Sequence, residues 1–277
     1  MKSQKLDFSN ARDRLLAEET FHFPKSRFAF LNDHFGLRKK HIHVLAAEPG
    51  GGKSTLVRAI IEDMENVPIL FVGTEEDRQQ QEIKFLKTGK REGDLSRIRF
   101  VNEREIFSCQ DPRPADVKEY IRLLFVEVAS SGAKIVFFDN LTTSKFFKAQ
   151  RIENQELFME EFKNFAQILE VCVFFIIHIK RDKFSKGIPS MNEIRGGQTV
   201  TMRAENLYVV GKIKIPSTGT LYDDELKFFV IVEKDRHGEN TGKMYMLDYH
   251  TETASVVSDV KVNWNKFKEL YDKRAKI

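Results

Sequence analysis

From His41 onward the chain alternates short, continuously apolar runs with longer segments whose apolar residues recur every three or four positions. The runs "HIHVLAA", "PILFVG", "IRFVN", "KIVFFDN" and "VCVFFIIH" have strand length and little polar alternation, so they predict strands buried on both faces. Between them, "STLVRAIIEDMEN", Asp77–Lys87, "PADVKEYIRLLFVEVASSG" and "ENQELFMEEFKNFAQILE" carry helical periodicity. Val117, Ile121, Leu124 and Val128 share one helix face, as do Phe158, Phe162, Phe165 and Leu169. Buried strands separated by amphipathic helices predict βαβ units and a mostly parallel central sheet flanked by helices, an α/β fold. From Glu205 the rhythm changes: "ENLYVVGKI", "LKFFVIVEKDR" and "KMYMLDYH", joined by turns, predict antiparallel strands at the C-terminal edge of one α/β domain. Upstream, residues 9–19 predict a short polar helix with Ser9 or Asn10 as N-cap, and "FHFPKSRFAFLNDHFG" is irregular. No internal repeat or low-complexity tract interrupts the chain.

Composition narrows the class. A chain of 277 residues with 41% hydrophobic content and 24 Phe can bury a substantial core. No apolar run reaches the roughly 18 residues of a membrane-spanning helix, and the opening "MKSQKLDFSNARDRLL" lacks a signal-peptide core. Cys109 and Cys172 form no metal-binding or redox spacing. A soluble cytoplasmic protein, with no membrane partner, is the expectation. The formal charge of +4 permits nucleic-acid binding without demanding it, because charges must cluster to make a footprint.

The chemistry gathers at strand ends. "AAEPGGGKST" fits the phosphate-binding pattern G-x-x-x-x-G-K-[ST] except that Ala47 replaces the first glycine. It lies between a predicted strand and a predicted helix, where backbone N–H groups and the helix dipole favour anions. Pro49, Gly50, Gly51, Gly52, Lys53, Ser54 and Thr55 form this loop, with Lys53 reaching the β- and γ-phosphates of ATP and Ser54 a Mg²⁺ ion. Asp139 ends the strand "KIVFFD", where it either holds the metal beside Ser54 or caps the next turn. Glu75 and Glu76 follow "PILFVG" and either orient an attacking water or start a helix with acidic residues. His178 ends "VCVFFIIH", as a γ-phosphate contact or a hydrogen-bonded strand terminus. Lys234 and Arg236 lie at a hairpin tip, either solvated or acting as a finger on a neighbour's γ-phosphate. The basic stretches "TSKFFKAQRI" and "KRDKFSKG" leave the same sheet edge, with Phe146, Phe147 and Phe184 offered for base stacking; solvated charged loops are the alternative.

In this order the motifs resemble the RecA-like motor domain of hexameric replicative helicases of DnaB type, with the nearest likeness to phage primase-helicases and the mitochondrial helicase Twinkle. The segments are "LNDHFGLRKKHIHVLAAEPGGGKSTLVRAI", "FVGTEED", "IVFFDNL", "FFIIHIKRDKFSKGIPSMNEIRGGQTVTMRAENLYVV" and "VEKDRHGENTGKMYMLDYHTET", spanning roughly residues 25–255. The resemblance implies a RecA-like P-loop NTPase and assigns Lys53 and Ser54 to phosphate and Mg²⁺, Asp139 to the metal and His178 to γ-phosphate sensing. It selects Glu75 as the water-polarising base. Arg236, with Lys234, would act in trans on the next subunit's ATP, and Lys180, Arg181, Lys183 and Lys186 would lie in or beside a DNA-contacting loop. Only about 25 residues precede the motor, so ring assembly is expected to depend on segment 9–19 docking on a neighbour. The histidine at the sensor position belongs to the phage and mitochondrial branch and suggests a phage or mobile-element protein in a bacterial host. The expectation is an ATP- and Mg²⁺-dependent homo-hexameric helicase acting on single-stranded DNA in replication, with a primase or loader supplied separately. Its parts would be a linker over 1–25, a motor over 26–260 and a basic helical tail over 261–277. A RecA-like ATPase that binds DNA without unwinding, as a recombination mediator or replication initiator, and a regulatory or scaffold ATPase needing no DNA, are the alternatives.

Overall fold

In a computed structural model the described residues are 23, 26–32, 37–86, 95–147, 152–179, 193–194, 197–216, 224–250, 255–263 and 265. The apolar runs become β1 (Ile42–Ala47), β2 (Ile69–Gly73), β3 (Ile98–Asn102), β4 (Ile135–Asp139) and β5 (Cys172–His178). Four more strands follow: β6 (Asn206–Pro216), β7 (Asp224–Asp235), β8 (Met244–His250) and β9 (Ser255–Val262). They form one sheet in the order β3-β2-β4-β5-β1-β6-β7-β8-β9. β1 to β5 are parallel, and β6 also runs parallel to β1, with His43 opposite Asn206 and Ala47 opposite Val210. The expectation that "ENLYVVGKI" begins the antiparallel edge is therefore corrected: the reversal comes one strand later, between β6 and β7. β6 still reads as a buried strand because it has neighbours on both sides. The sequence predicts no strand over β9, because SVVSDVKV lacks the continuous apolar run of β1 to β5 and alternates polar with apolar only over its last four residues.

The helices are α1 (Ala29–Asn32), α2 (Lys53–Asp63), α3 (Arg78–Leu86), α4 (Glu103–Ile106), α5 (Pro114–Ser131), α6 (Ile152–Leu169) and α7 (Gly197–Arg203), with a 3-10 turn at Leu141–Thr143. Each face of the sheet has its own core. Leu56, Val57, Ile60 and Ile61 of α2 cover one face, together with Phe137, Phe174 and Ile176. Val117, Ile121, Leu124 and Val128 of α5, and Phe158, Phe162 and Phe165 of α6, cover the other with Phe138 and Phe175. The predicted helix faces are thus the buried ones, with Leu169 at the margin. The chain leaves β1 toward one face and β4 and β5 toward the other, so a crevice opens at the carboxyl ends of these strands, where α/β sheets bind ligands. Short α1, in the stretch read as irregular, is capped by Asp259, whose carboxylate accepts from the N–H groups of Ala29 at 2.6 Å and Phe30 at 3.0 Å. Among the described residues no helix is long and apolar enough to cross a membrane. Segment 9–19, Phe184 and the four basic residues Lys180, Arg181, Lys183 and Lys186 lie outside the described residues.

Candidate active site

The phosphate-binding loop joins β1 to α2. Ala47 is wholly buried at the end of β1, between His178 of β5 and Val210 of β6. Its methyl group lies where the loop curls back. A Cβ on Gly51 would stand 3.1 Å from the Ala47 Cβ and 2.9 Å from the Glu48 carbonyl, which accepts from the Gly51 N–H. The absent side chain at 51 makes room for the methyl at 47, so the departure from the usual motif is absorbed inside the loop. Gly52, the N-cap of α2, has φ +91, and a Cβ there would meet the Phe228 ring at 2.5 Å. Lys53 is buried, and its ammonium donates to the carbonyls of Ala47 at 3.2 Å and Glu48 at 2.9 Å. Burial pushes its pKa down to about 8, against the opposing pull of Asp139, Glu75 and Glu48.

Asp139 and Glu75 sit on the adjoining strand ends. Burial raises the Asp139 pKa to about 6, opposed by Lys53 and reinforced by Glu75 and Glu76. The ends of β2 and β4 are laced together through Thr74, whose N–H donates to the Asp139 carbonyl at 2.9 Å. The Thr74 hydroxyl donates to the Asn140 carbonyl at 3.0 Å and lies 2.6 Å from the Thr143 hydroxyl. The two glutamates then diverge. Glu75 accepts from Asn140 Nδ2 at 3.2 Å, whereas Glu76 pairs with Lys84.

These strand ends and the loop enclose a cavity of about 440 Å³ lined by residues 50–55, Glu75, Glu76, Asp139, His178 and Phe228, among others. Its volume falls within the roughly 300–1,000 Å³ of small-molecule sites. The structure thus brings together Gly50, Gly51, Gly52, Lys53, Ser54, Thr55, Glu75, Asp139 and His178. Pro49 is exposed and is not part of the wall. The residues fit a Mg²⁺-bound nucleoside triphosphate. A loop stripped of side chains at 51 and 52 lets N–H groups approach phosphate, a buried ammonium stands beside it, and a hydroxyl and a carboxylate offer hard oxygen ligands.

Three groups were not legible in the sequence. Asn140 and Thr74 matter through contacts between β2 and β4, which no local pattern encodes. Phe228 arrives from β7, 176 positions beyond Gly52, and packs against Tyr249 with ring centroids 4.8 Å apart.

Lys234 and Arg236 are not at this cavity. Lys234 faces Leu207 near the start of β6, which pairs with the start of β1, whereas the loop leaves the other end of β1. Lys234 donates to the carbonyls of Thr201 and, at 2.7 Å, Ala204. Arg236 donates to Met202 O at 2.7 Å and to the buried Glu205 carboxylate at 3.4 Å. Both are therefore held against the C-terminal end of α7, where carbonyls attract cations, rather than simply solvated. The stacking role offered to Phe146 and Phe147 is corrected. Both are buried, Phe146 parallel to Tyr120 at 4.2 Å and Phe147 edge-on to Phe158 at 5.6 Å, because the chain after the 3-10 turn folds back into the core.

No protein-family model matches the chain, and no curated protein sequence does. Among solved structures, the KaiC-like protein of the hyperthermophilic archaeon Pyrococcus horikoshii superposes with a TM-score of 0.58, covering 83% of this chain and 92% of that one. The fold is RecA-like. At 16% sequence identity the likeness carries the architecture and not the reaction. The resemblance to DnaB-type helicases accordingly stands as a RecA-like fold.

Proposed function

We propose that the protein is a RecA-like ATPase that works as a ring-forming motor on single-stranded DNA. The observation that carries this reading is the convergence of Lys53, Ser54, Glu75, Asp139 and His178 on one cavity, while Lys234 and Arg236 stand at the opposite end of the same sheet. A basic pair out of reach of its own cavity suits a finger that completes a neighbour's site. Lys53 gives up its two loop carbonyls to bind the β- and γ-phosphates, whose negative charge further favours its protonated form. Ser54 and Asp139 would hold Mg²⁺, which would supply positive charge against the phosphates. Glu75 orients and deprotonates the attacking water; Glu76 also lines the cavity but is paired with Lys84. Phe228 supplies an apolar wall beside the loop. Catalysis is mainly positioning and electrostatic stabilisation of the transferring phosphoryl group.

His178 links this site to the DNA side. The next residue, Ile179, donates its N–H to the Ala47 carbonyl at 2.9 Å, so the strand that carries His178 is fastened to the residue that enters the phosphate loop. The basic run Lys180, Arg181, Lys183 and Lys186 begins at that point and would grip the strand, so loss of the γ-phosphate would shift the grip. A homo-hexamer, served by a separate primase or loader, is the assembly this reading expects. The test is ATP turnover with and without single-stranded DNA across salt, alongside solution mass and strand displacement on a fork. Stimulation that falls steeply with salt, assembly with nucleotide, and displacement support the reading. Stimulation without displacement leaves a DNA-binding ATPase, and an ATPase indifferent to DNA removes the motor role.

A further inference from the structure

We infer that Asn140 is a positioning residue for hydrolysis: its side-chain amide holds the Glu75 carboxylate in place at the cavity. The inference rests on the reading of Glu75 as the base. Asn140 directly follows Asp139 and is almost wholly buried. Its Oδ1 accepts from the Thr142 N–H at 2.8 Å and from the Thr142 hydroxyl. A backbone N–H can only donate, so the oxygen of the amide must face Thr142. Nδ2 is thereby turned toward Glu75 Oε1, at 3.2 Å.

Glu75 needs such a partner. It is exposed at the cavity, and a free glutamate side chain loses much rotamer entropy when held in one orientation. Among the described residues, the hydrogen bond that holds its carboxylate comes from Asn140. Binding one oxygen leaves the other to accept a proton from water. The donor is itself anchored: the Asn140 N–H donates to the Thr74 hydroxyl at 3.0 Å, and Thr74 precedes Glu75 in the chain. Residue type matters as well. Asp139 and Lys53 already face Glu75 electrostatically, so another carboxylate at 140 would repel it and a lysine would neutralise it. A neutral amide orients the base without quenching it.

The competing role is local: Asn140 Oδ1 also caps the 3-10 turn at Leu141–Thr143. Two substitutions separate the roles. In Asn140→Ser the hydroxyl can still accept from Thr142 but is too short to reach Glu75, whereas Asn140→Ala loses both contacts. Measured in the full chain with single-stranded DNA, both variants should lose about 10- to 100-fold in kcat, the cost of a misplaced catalytic group. The Kd of a non-hydrolysable ATP analogue with Mg²⁺ should stay within about twofold, since only the base is displaced. The melting temperature should fall in Asn140→Ala and hold in Asn140→Ser. Asn140→Ser turning over within about twofold of wild type, or losing analogue affinity in step with kcat, would overturn the positioning role. Glu75→Gln, run in parallel, tests the base separately: full turnover there removes the base reading and this inference with it, while its loss of turnover leaves the Asn140 outcomes decisive.

Discussion

Asp139 is placed at a cost to the fold, and replacing it should stabilise the protein while disabling it. The folded structure raises its pKa from 3.8 to about 6, with burial the largest cause. Between those values the folded state binds more protons than the unfolded chain, so stability falls as pH rises through that window. Each pKa unit corresponds to 1.36 kcal/mol, so the ionised carboxylate costs at most about 3 kcal/mol at pH 7.5 and about half of that at pH 5. Asp139→Asn removes this cost, which is already net of the attraction from Lys53, but buries an amide in its place. The net gain should be about 1–2 kcal/mol at pH 7.5, shrinking toward pH 5. Urea unfolding of both proteins at the two pH values measures it, with the shared pH dependence of every other group cancelling in the difference. Mg²⁺-ATP should then raise the unfolding midpoint of the wild type and leave the variant nearly unmoved. A variant no more stable than wild type at pH 7.5, or a gain that does not shrink at pH 5, would refute the reasoning.

Other outcomes test the loop, the finger and the core. Gly51→Ala should weaken nucleotide binding at least tenfold by fluorescence titration, because its Cβ would press on Glu48 O and the Ala47 methyl, whereas Ala47→Gly should bind normally. Arg236→Ala should bind ATP yet hydrolyse it at least 10³-fold more slowly, and mixing it with a Lys53→Ala variant should restore part of the turnover; absence of recovery in mixed assemblies argues against action in trans. His43 is wholly buried and stacked on Phe174 at 4.8 Å, and burial lowers its pKa to about 3. The folded state then binds fewer protons than the unfolded chain, so stability is lost as pH falls below 6.5, by about 2 kcal/mol at pH 5. His43→Phe should flatten that loss in denaturant titrations, and an unchanged pH slope would count against it.

The strands β1 to β5 and helices α2, α5 and α6 were legible because burial on a sheet leaves a continuous apolar run and burial on one helix face leaves a period near 3.6. Short α1, α4 and α7 left no such trace, since a helix of one or two turns has too few positions to display a period. Direction escaped as well. An apolar run reports burial and not orientation, so "ENLYVVGKI" could not announce that β6 follows β1 in parallel.

Sequence alone determined the α/β alternation, the phosphate loop, and the placing of Glu75, Asp139 and His178 at strand ends, because motif spacing and periodicity are local properties of the chain. Tertiary structure decided which groups meet. It set Gly51 against Ala47, turned Glu75 toward Asn140 and Glu76 toward Lys84, seated Phe228 over Gly52, and fastened Lys234 and Arg236 to the end of α7. It also buried Phe146 and Phe147, which composition alone would offer to a ligand. The physical reason is that these contacts join residues from different strands and helices, and their distances are fixed by strand order and register, which no single stretch of sequence contains.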